Sequence, residues 1–98
     1  MEERRSKRKL MKINKNVIHR EIAGEHILVP VGETALHYNG VFAVSEIGAE
    51  IWEMLCSGKD IQEITNLLLQ MYDVELDILE KDIENFLEML QKNGLICE

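Results

Sequence analysis

Residues 45–58 read SEIGAEIWEMLCSG, and the order of the fold turns on them. Ile47, Ile51, Trp52 and Leu55 recur at helical spacing, while Glu46, Glu50 and Glu53 fall on the opposite side, so the stretch predicts an amphipathic helix. Ser45 is suited to cap its start, and Gly58 stands just beyond its end. Gly48 lies inside the helix, where glycine weakens the backbone. A packing reason, the close approach of another part of the chain, is the reading it invites. Before Ser45 the hydrophobic period is near two, and after it the period is near 3.6.

Upstream, residues 17–31 are rich in β-branched and aliphatic side chains and are interrupted at Ala23-Gly24-Glu25, which predicts two strands joined by a tight turn. Ile27-Leu28-Val29 is a continuous apolar run suited to a strand covered on both faces. Pro30 lacks an N–H for a sheet ladder and belongs at the end of that strand or at a bulge. Val31-Gly32-Glu33 turns the chain, Thr34–Tyr38 reads as a short third strand, and Asn39-Gly40 ends it. Downstream, a second helix is expected from Asp60, with Glu63 at the capping-box position, burying Ile61, Ile64, Leu67, Leu68 and Met71. A third is expected from Asp77 to about Lys92, with Glu80 three residues into it and Gly94 as its stop. Its inward stripe is Leu79, Ile83, Phe86, Leu87 and Leu90. Three short strands followed by three helices define an α+β domain with one helical layer on one face of a small antiparallel sheet.

The chain has 98 residues, of which 46% are hydrophobic and 30% charged. That size supports one modest core, which argues against a catalytic cleft walled by two domains. No apolar run reaches the ~20 residues of a membrane helix, and Met1–Arg5 lead into no apolar segment, so a cytosolic protein without a signal peptide is expected. Cys56 and Cys97 have neither a CxxC spacing nor a framework partner and read as reduced thiols, Cys56 at a helix end in the core and Cys97 exposed. The net charge of −7 is unevenly placed. Residues 1–12 carry six basic side chains against Glu2 and Glu3, a local +4, which leaves −11 for residues 13–98. A basic, solvated tail is thus expected over 1–12 and an acidic domain over 13–98. A contact of the tail with an anionic partner is the weaker reading, and Met11-Lys12-Ile13 also fits a start of translation.

No catalytic constellation emerges. The sequence has no G-x-S-x-G, no H-E-x-x-H and no glycine-rich phosphate loop, and its six glycines stand singly. His19, His26 and His37 fall one on each expected strand, so two of them can approach on a meander, but their spacing is not a metal signature. No cofactor and no metal are implied. A winged helix that binds DNA has the same element order, yet it needs cations on its recognition helix. Here the third helix carries Asp77, Glu80, Asp82, Glu84 and Glu88 against Lys81 and Lys92, so nucleic acid is the weaker alternative. At 100° per residue, Ile78, Asp82, Asn85, Met89 and Asn93 form a flank beside the core stripe, with Phe86 on its border. This half-apolar, half-polar flank reads either as a widened core contact or as a groove wall.

Taken together, the strand pair, Leu36-His37-Tyr38-Asn39, Ile47–Leu55 ending near Gly58, Ile61-Gln62-Glu63-Ile64 through Met71-Tyr72, and Asp82-Ile83 through Phe86-Leu87-Leu90 to Gly94-Leu95-Ile96 resemble the PqqD family. These are small chaperones of pyrroloquinoline quinone biosynthesis and the related recognition elements of ribosomally made, modified peptides. The resemblance covers roughly residues 15–97 and implies a winged-helix-like, non-catalytic module. Such a module holds the leader of a precursor peptide and presents it to a modifying enzyme, often a radical enzyme using S-adenosylmethionine. It further implies that the leader adds as a strand on the edge formed here by Ala35, Leu36, His37 and Tyr38, facing a wall of Ile78, Asp82, Asn85, Phe86 and Met89. Asp82 would then make a polar or charge contact, and Phe86 and Met89 an apolar pocket. Strand addition satisfies exposed backbone groups, and alternate side chains give selectivity. A homodimer through the same edge is a third reading.

Overall fold

The computed structural model describes residues 12–32 and 40–97. Its elements are β1 (Lys12–Ile13), β2 (Val17–Ile22), β3 (Glu25–Pro30), β4 (Phe42–Val44), α1 (Glu46–Cys56), α2 (Ile61–Met71), α3 (Leu76–Lys92) and β5 (Ile96–Cys97). The central feature is a three-stranded antiparallel sheet in the order β2-β3-β4, followed by three helices, which is the expected α+β arrangement.

The β2–β3 hairpin closes as its sequence requires. Ile22 pairs with Glu25 across a two-residue turn in which Ala23 and Gly24 have φ of 54° and 82°. Two successive positive φ values are the demand of a type I′ turn, which matches the twist of the strands it joins. Glycine meets that demand freely, whereas Ala23 holds a left-handed conformation that costs an L-residue roughly 1–2 kcal/mol. Pro30 ends β3 opposite Val17 in a pair that needs no N–H from it, and the bond to the β2 side is made by Val31 N–H to Asn16 O at 2.7 Å.

The described residues contain a third strand that the sequence reading did not foresee. It is Phe42–Val44, paired with Leu28–His26, between Gly40 and the cap of α1. Thr34–Tyr38 falls in residues 33–39, outside the described residues. A three-residue strand is too short to show a period of two, so Phe42–Val44 carries little signal of its own. β1 and β5 form a second, two-stranded antiparallel sheet with Lys12 opposite Cys97 and Ile13 opposite Ile96, which the sequence did not suggest. Lys12, grouped with the basic tail on charge, therefore begins a strand.

The helices obey their caps. Ser45 Oγ accepts the Gly48 N–H at 3.0 Å at the head of α1. Asp60 and Glu63 form a reciprocal capping box, with Glu63 N–H donating to Asp60 Oδ1 at 2.9 Å and Asp60 N–H donating to Glu63 Oε1 at 3.0 Å. α1 and α3 both finish in the paired bonds of a Schellman turn. Lys59 N–H reaches Met54 O and Gly58 N–H reaches Leu55 O in the first; Leu95 N–H reaches Leu90 O and Gly94 N–H reaches Gln91 O in the second. Gly58 and Gly94 supply the positive φ each turn needs, 89° and 74°. α3 starts one residue before the expected Asp77, with Glu75 at the N-cap and no side-chain cap bond, so Asp77 sits in the first turn.

Leu28, Ile64, Leu68, Leu90 and Leu95 are fully buried, and Trp52, Ile51 and Leu79 nearly so. They form one core between the sheet and the helices. Two expected core residues lie elsewhere: Met71 is half exposed at the last position of α2, and Cys56 is exposed at the last position of α1. A helix's terminal turn overhangs its neighbours, so matching the apolar stripe does not bury it. Among the described residues no helix is long and apolar enough to cross a membrane.

Two substitutions test this account in urea denaturation. Leu28→Ala should lower stability by about 3 kcal/mol, the usual cost of an unfilled core cavity. Ala23→Asn should raise it by roughly 0.5–1 kcal/mol, because asparagine tolerates the left-handed turn position better than alanine.

Candidate functional site

Three elements converge at Gly48. A Cβ placed there would stand 3.1 Å from Phe86 Cε1 of α3, 3.3 Å from Val44 Cβ of β4 and 3.3 Å from the capping Ser45 Oγ. The glycine foreseen as a packing position is thus the point where the outer strand, the head of α1 and the middle of α3 meet, and the close neighbours are side chains. Beside it opens a recess of about 250 Å³, lined by Ser45, Ile47, Gly48, Ile51, Asp82 and Phe86. Ile51 is buried and Phe86 and Ile47 are half-buried, which makes an apolar floor. Asp82 is exposed and brings a carboxylate to the rim.

Of the residues expected on the site, Asp82 and Phe86 are brought together in this recess. Met89, one turn further along α3, is half-buried and packs against the core cluster, while Asn85 is exposed on the same helix. Ile78 is 59% exposed near the start of α3 and does not line the recess. Ala35, Leu36, His37 and Tyr38 lie outside the described residues. Sequence reasoning missed Ser45, Ile47 and Ile51 as recess residues because each already had a task as a cap or as part of a core stripe. The signal available for them was Gly48, an unexplained glycine inside a helix.

A second polar cluster lies on the hairpin. His19 Nε2 and His26 Nδ1 are 3.0 Å apart, and His19 Nδ1 is 2.8 Å from Glu53 Oε2 of α1. Both imidazole nitrogens of His19 are therefore engaged. A chain in which His19 donates to Glu53 and accepts from His26 satisfies every contact with neutral rings. The expected approach of two strand histidines thus occurs between β2 and β3; His37 lies outside the described residues. Among the described residues no group of three or more His, Cys, Asp or Glu could hold a metal ion. Near the same face, Cys56 has its thiol pushed above the ordinary range, first by desolvation of the sulfur and then by the Glu53 carboxylate. This sets it apart from the activated, low-pKa thiols of nucleophilic sites.

These features define a class, a small α+β domain in which β4 and the third helix flank a shallow recess with an apolar floor and a carboxylate at its rim. Comparison with known proteins gives the family. The family model described as Coenzyme PQQ synthesis protein D (PqqD) matches residues 25–96, and the chain belongs to the PqqD family. Among solved structures it is similar to TbiB1 in complex with the TbiA(beta) leader peptide. The two are 27% identical, with 87% of this chain and 93% of that chain covered and a TM-score of 0.69. No curated protein matches the chain.

Two outcomes follow from this geometry. Gly48→Val should destabilise the fold by about 1–3 kcal/mol, since the recess side of α1 has no space for it. Gly48→Ala should be close to neutral, its helix gain of about 1 kcal/mol offsetting the tight contact with Phe86. For Cys56, a raised pKa means less thiolate at a given pH. Iodoacetamide at mildly alkaline pH should therefore alkylate it more slowly than free cysteine, and Glu53→Gln should speed the reaction.

Proposed function

We propose that this chain is a non-catalytic carrier of a leader peptide, binding the leader of a ribosomally made precursor along the β4–α3 side and presenting it to a modifying enzyme. The observation that carries this reading is the structural likeness to a protein solved with a leader peptide, extending over nearly the whole domain. The recess beside Gly48 adds to it, because its lining is apolar and its rim is charged.

The binding mode we propose is strand addition. Among the described residues β4 is the outer strand of the sheet, and its end lies beside the recess. A peptide running along this edge gains backbone hydrogen bonds with little demand on sequence, and every second side chain points toward α3. Phe86 and Met89 receive apolar side chains. Met89 adapts to varied shapes, and Asn85 offers a polar contact. Asp82 attracts a Lys or Arg, which raises the association rate and fixes register more than it adds affinity. We further propose Ala35–Tyr38 and Ile78 as contacts of the same peptide. The enzyme served is, in this reading, a radical enzyme using S-adenosylmethionine, which supplies the chemistry that the carrier lacks. Self-association through the same edge competes with the peptide.

The DNA-binding alternative loses support at α3, where Asp77, Glu80, Asp82, Glu84 and Glu88 are all exposed. An anionic helix is repelled by phosphates.

Titration of the ¹⁵N-labelled full chain with the leader of the precursor encoded beside its gene tests the proposal. The amides of Ala35–Tyr38, Phe42–Val44 and Asp82–Met89 should shift together. Shifts confined to residues 1–11, or none, would sink the site. Asp82→Lys, an exposed change that leaves the core untouched, should weaken binding of a Lys- or Arg-bearing leader about tenfold, ~1.4 kcal/mol. Unchanged affinity would remove Asp82 from the contact.

A further inference from the structure

A wider cleft lies on the other flank of α3, away from the recess at Gly48. It has a volume of about 530 Å³ and runs between α2 and α3. Ile61, Ile83 and Leu87 form its floor, buried or half-buried, and Asp77, Glu80 and Glu84 line it as exposed carboxylates one turn apart along α3. Lys81 is the one cation that lines it, so the cleft is net negative. An apolar trough edged by a row of carboxylates suits a segment that carries both Lys or Arg and aliphatic side chains.

The chain contains one such segment. Residues 1–11 hold Arg4, Arg5, Lys7, Arg8 and Lys9 with Leu10 and Met11, five cations against Glu2 and Glu3. They join the domain at Lys12, in the strand paired with β5, which leaves α3 through the turn at Gly94. Eleven residues extend to at most ~36–40 Å, while α3 from its end at Lys92, next to β5, back to Asp77 at the far end of the cleft is ~23 Å long. Reach is therefore ample, and covalent attachment gives the segment an effective concentration in the millimolar range.

We propose that residues 1–11 dock in the acidic α2–α3 cleft of their own chain, with Arg and Lys side chains on Asp77, Glu80 and Glu84 and Leu10 or Met11 over the Leu87 end. The docked segment neutralises the flank of α3 opposite the recess. It thereby leaves Asp82, at the recess, open to a cationic partner and denies such a partner a second acidic groove. The inference stands on the cleft and the segment and does not depend on the leader-peptide reading.

The test uses the full chain. A nitroxide placed through Ser6→Cys, with Cys56→Ser and Cys97→Ser, should broaden the amides of Gln62 and Thr65 on α2 more strongly than those of Ala43 and Val44 on β4. The effect should fade at about 1 M NaCl, where the screening length is ~3 Å. It should also fade in the Glu80→Gln, Glu84→Gln variant, whose exposed substitutions spare the core. Uniformly weak broadening, or broadening strongest at β4, overturns the proposal. Mixing ¹⁵N-labelled chain lacking the nitroxide with unlabelled nitroxide chain separates the remaining case. Broadening transferred to the labelled chain would assign the cleft to a second copy and overturn docking within one chain. A leader-peptide titration that failed would leave these outcomes unaffected.

Discussion

The missing side chain at Gly48 sets how closely α3 approaches the sheet. Val44, Ser45 and Phe86 all lie within 3.3 Å of where a Cβ would be, so β4, the cap of α1 and the middle of α3 share a single contact point. Glycine in a helix interior costs roughly 1 kcal/mol against alanine. A folded domain of this size retains only about 5–15 kcal/mol, so this is a sizeable concession. It is offset by the packing of Phe86 and Val44 onto the core, and it creates the recess with its apolar floor and single carboxylate. The site is thus a consequence of how the core closes.

The same helix then has three environments around its circumference. Leu79, Ile83 and Leu90 are buried in the core. Asp82 and Phe86 turn to the recess, and Asp77, Glu80 and Glu84 turn to the α2–α3 cleft. Seventeen residues give α3 nearly five turns, enough to repeat each environment along its length. Its negative charge falls on both exposed flanks. Charge therefore distinguishes this domain from a nucleic-acid-binding winged helix more sharply than topology does, since both share the order of elements.

Much of the fold was legible because its decisive signals are local. The Ala23-Gly24 turn, the Ser45 and Asp60 caps and the Gly58 and Gly94 stops each rest on residues within four or five positions of one another, and the structure honours all of them. Signals that depend on distant partners were not legible. Phe42–Val44 is a strand because Leu28–His26 pairs with it, and Lys12–Ile13 is one because Ile96–Cys97 lies across from it. Two or three residues cannot declare a period. Met71 and Cys56 continue apolar stripes, yet they sit in last turns where the packing partner has run out. On the site, the α3 side could be read from helical geometry, and the α1 side could not. Ser45, Ile47 and Ile51 each serve the fold in a way that fully accounts for them.

This overlap bears on how a small domain binds anything. A domain with a single small core encloses little surface by itself, and the recess is correspondingly shallow at about 250 Å³. The strand addition we propose answers this with an extended contact, many weak backbone bonds along a strand edge with one or two side chains seated in the recess. Such a contact reads a peptide's register and spacing more than its composition. In the binding mode we propose, the recess beside Gly48 is where along the edge one side chain is inspected, and Asp82 at the rim selects the charge next to it. Specificity of this kind needs a rigid reference point. The convergence of β4, α1 and α3 on a position without a side chain provides one, because none of the three can shift without disturbing the other two.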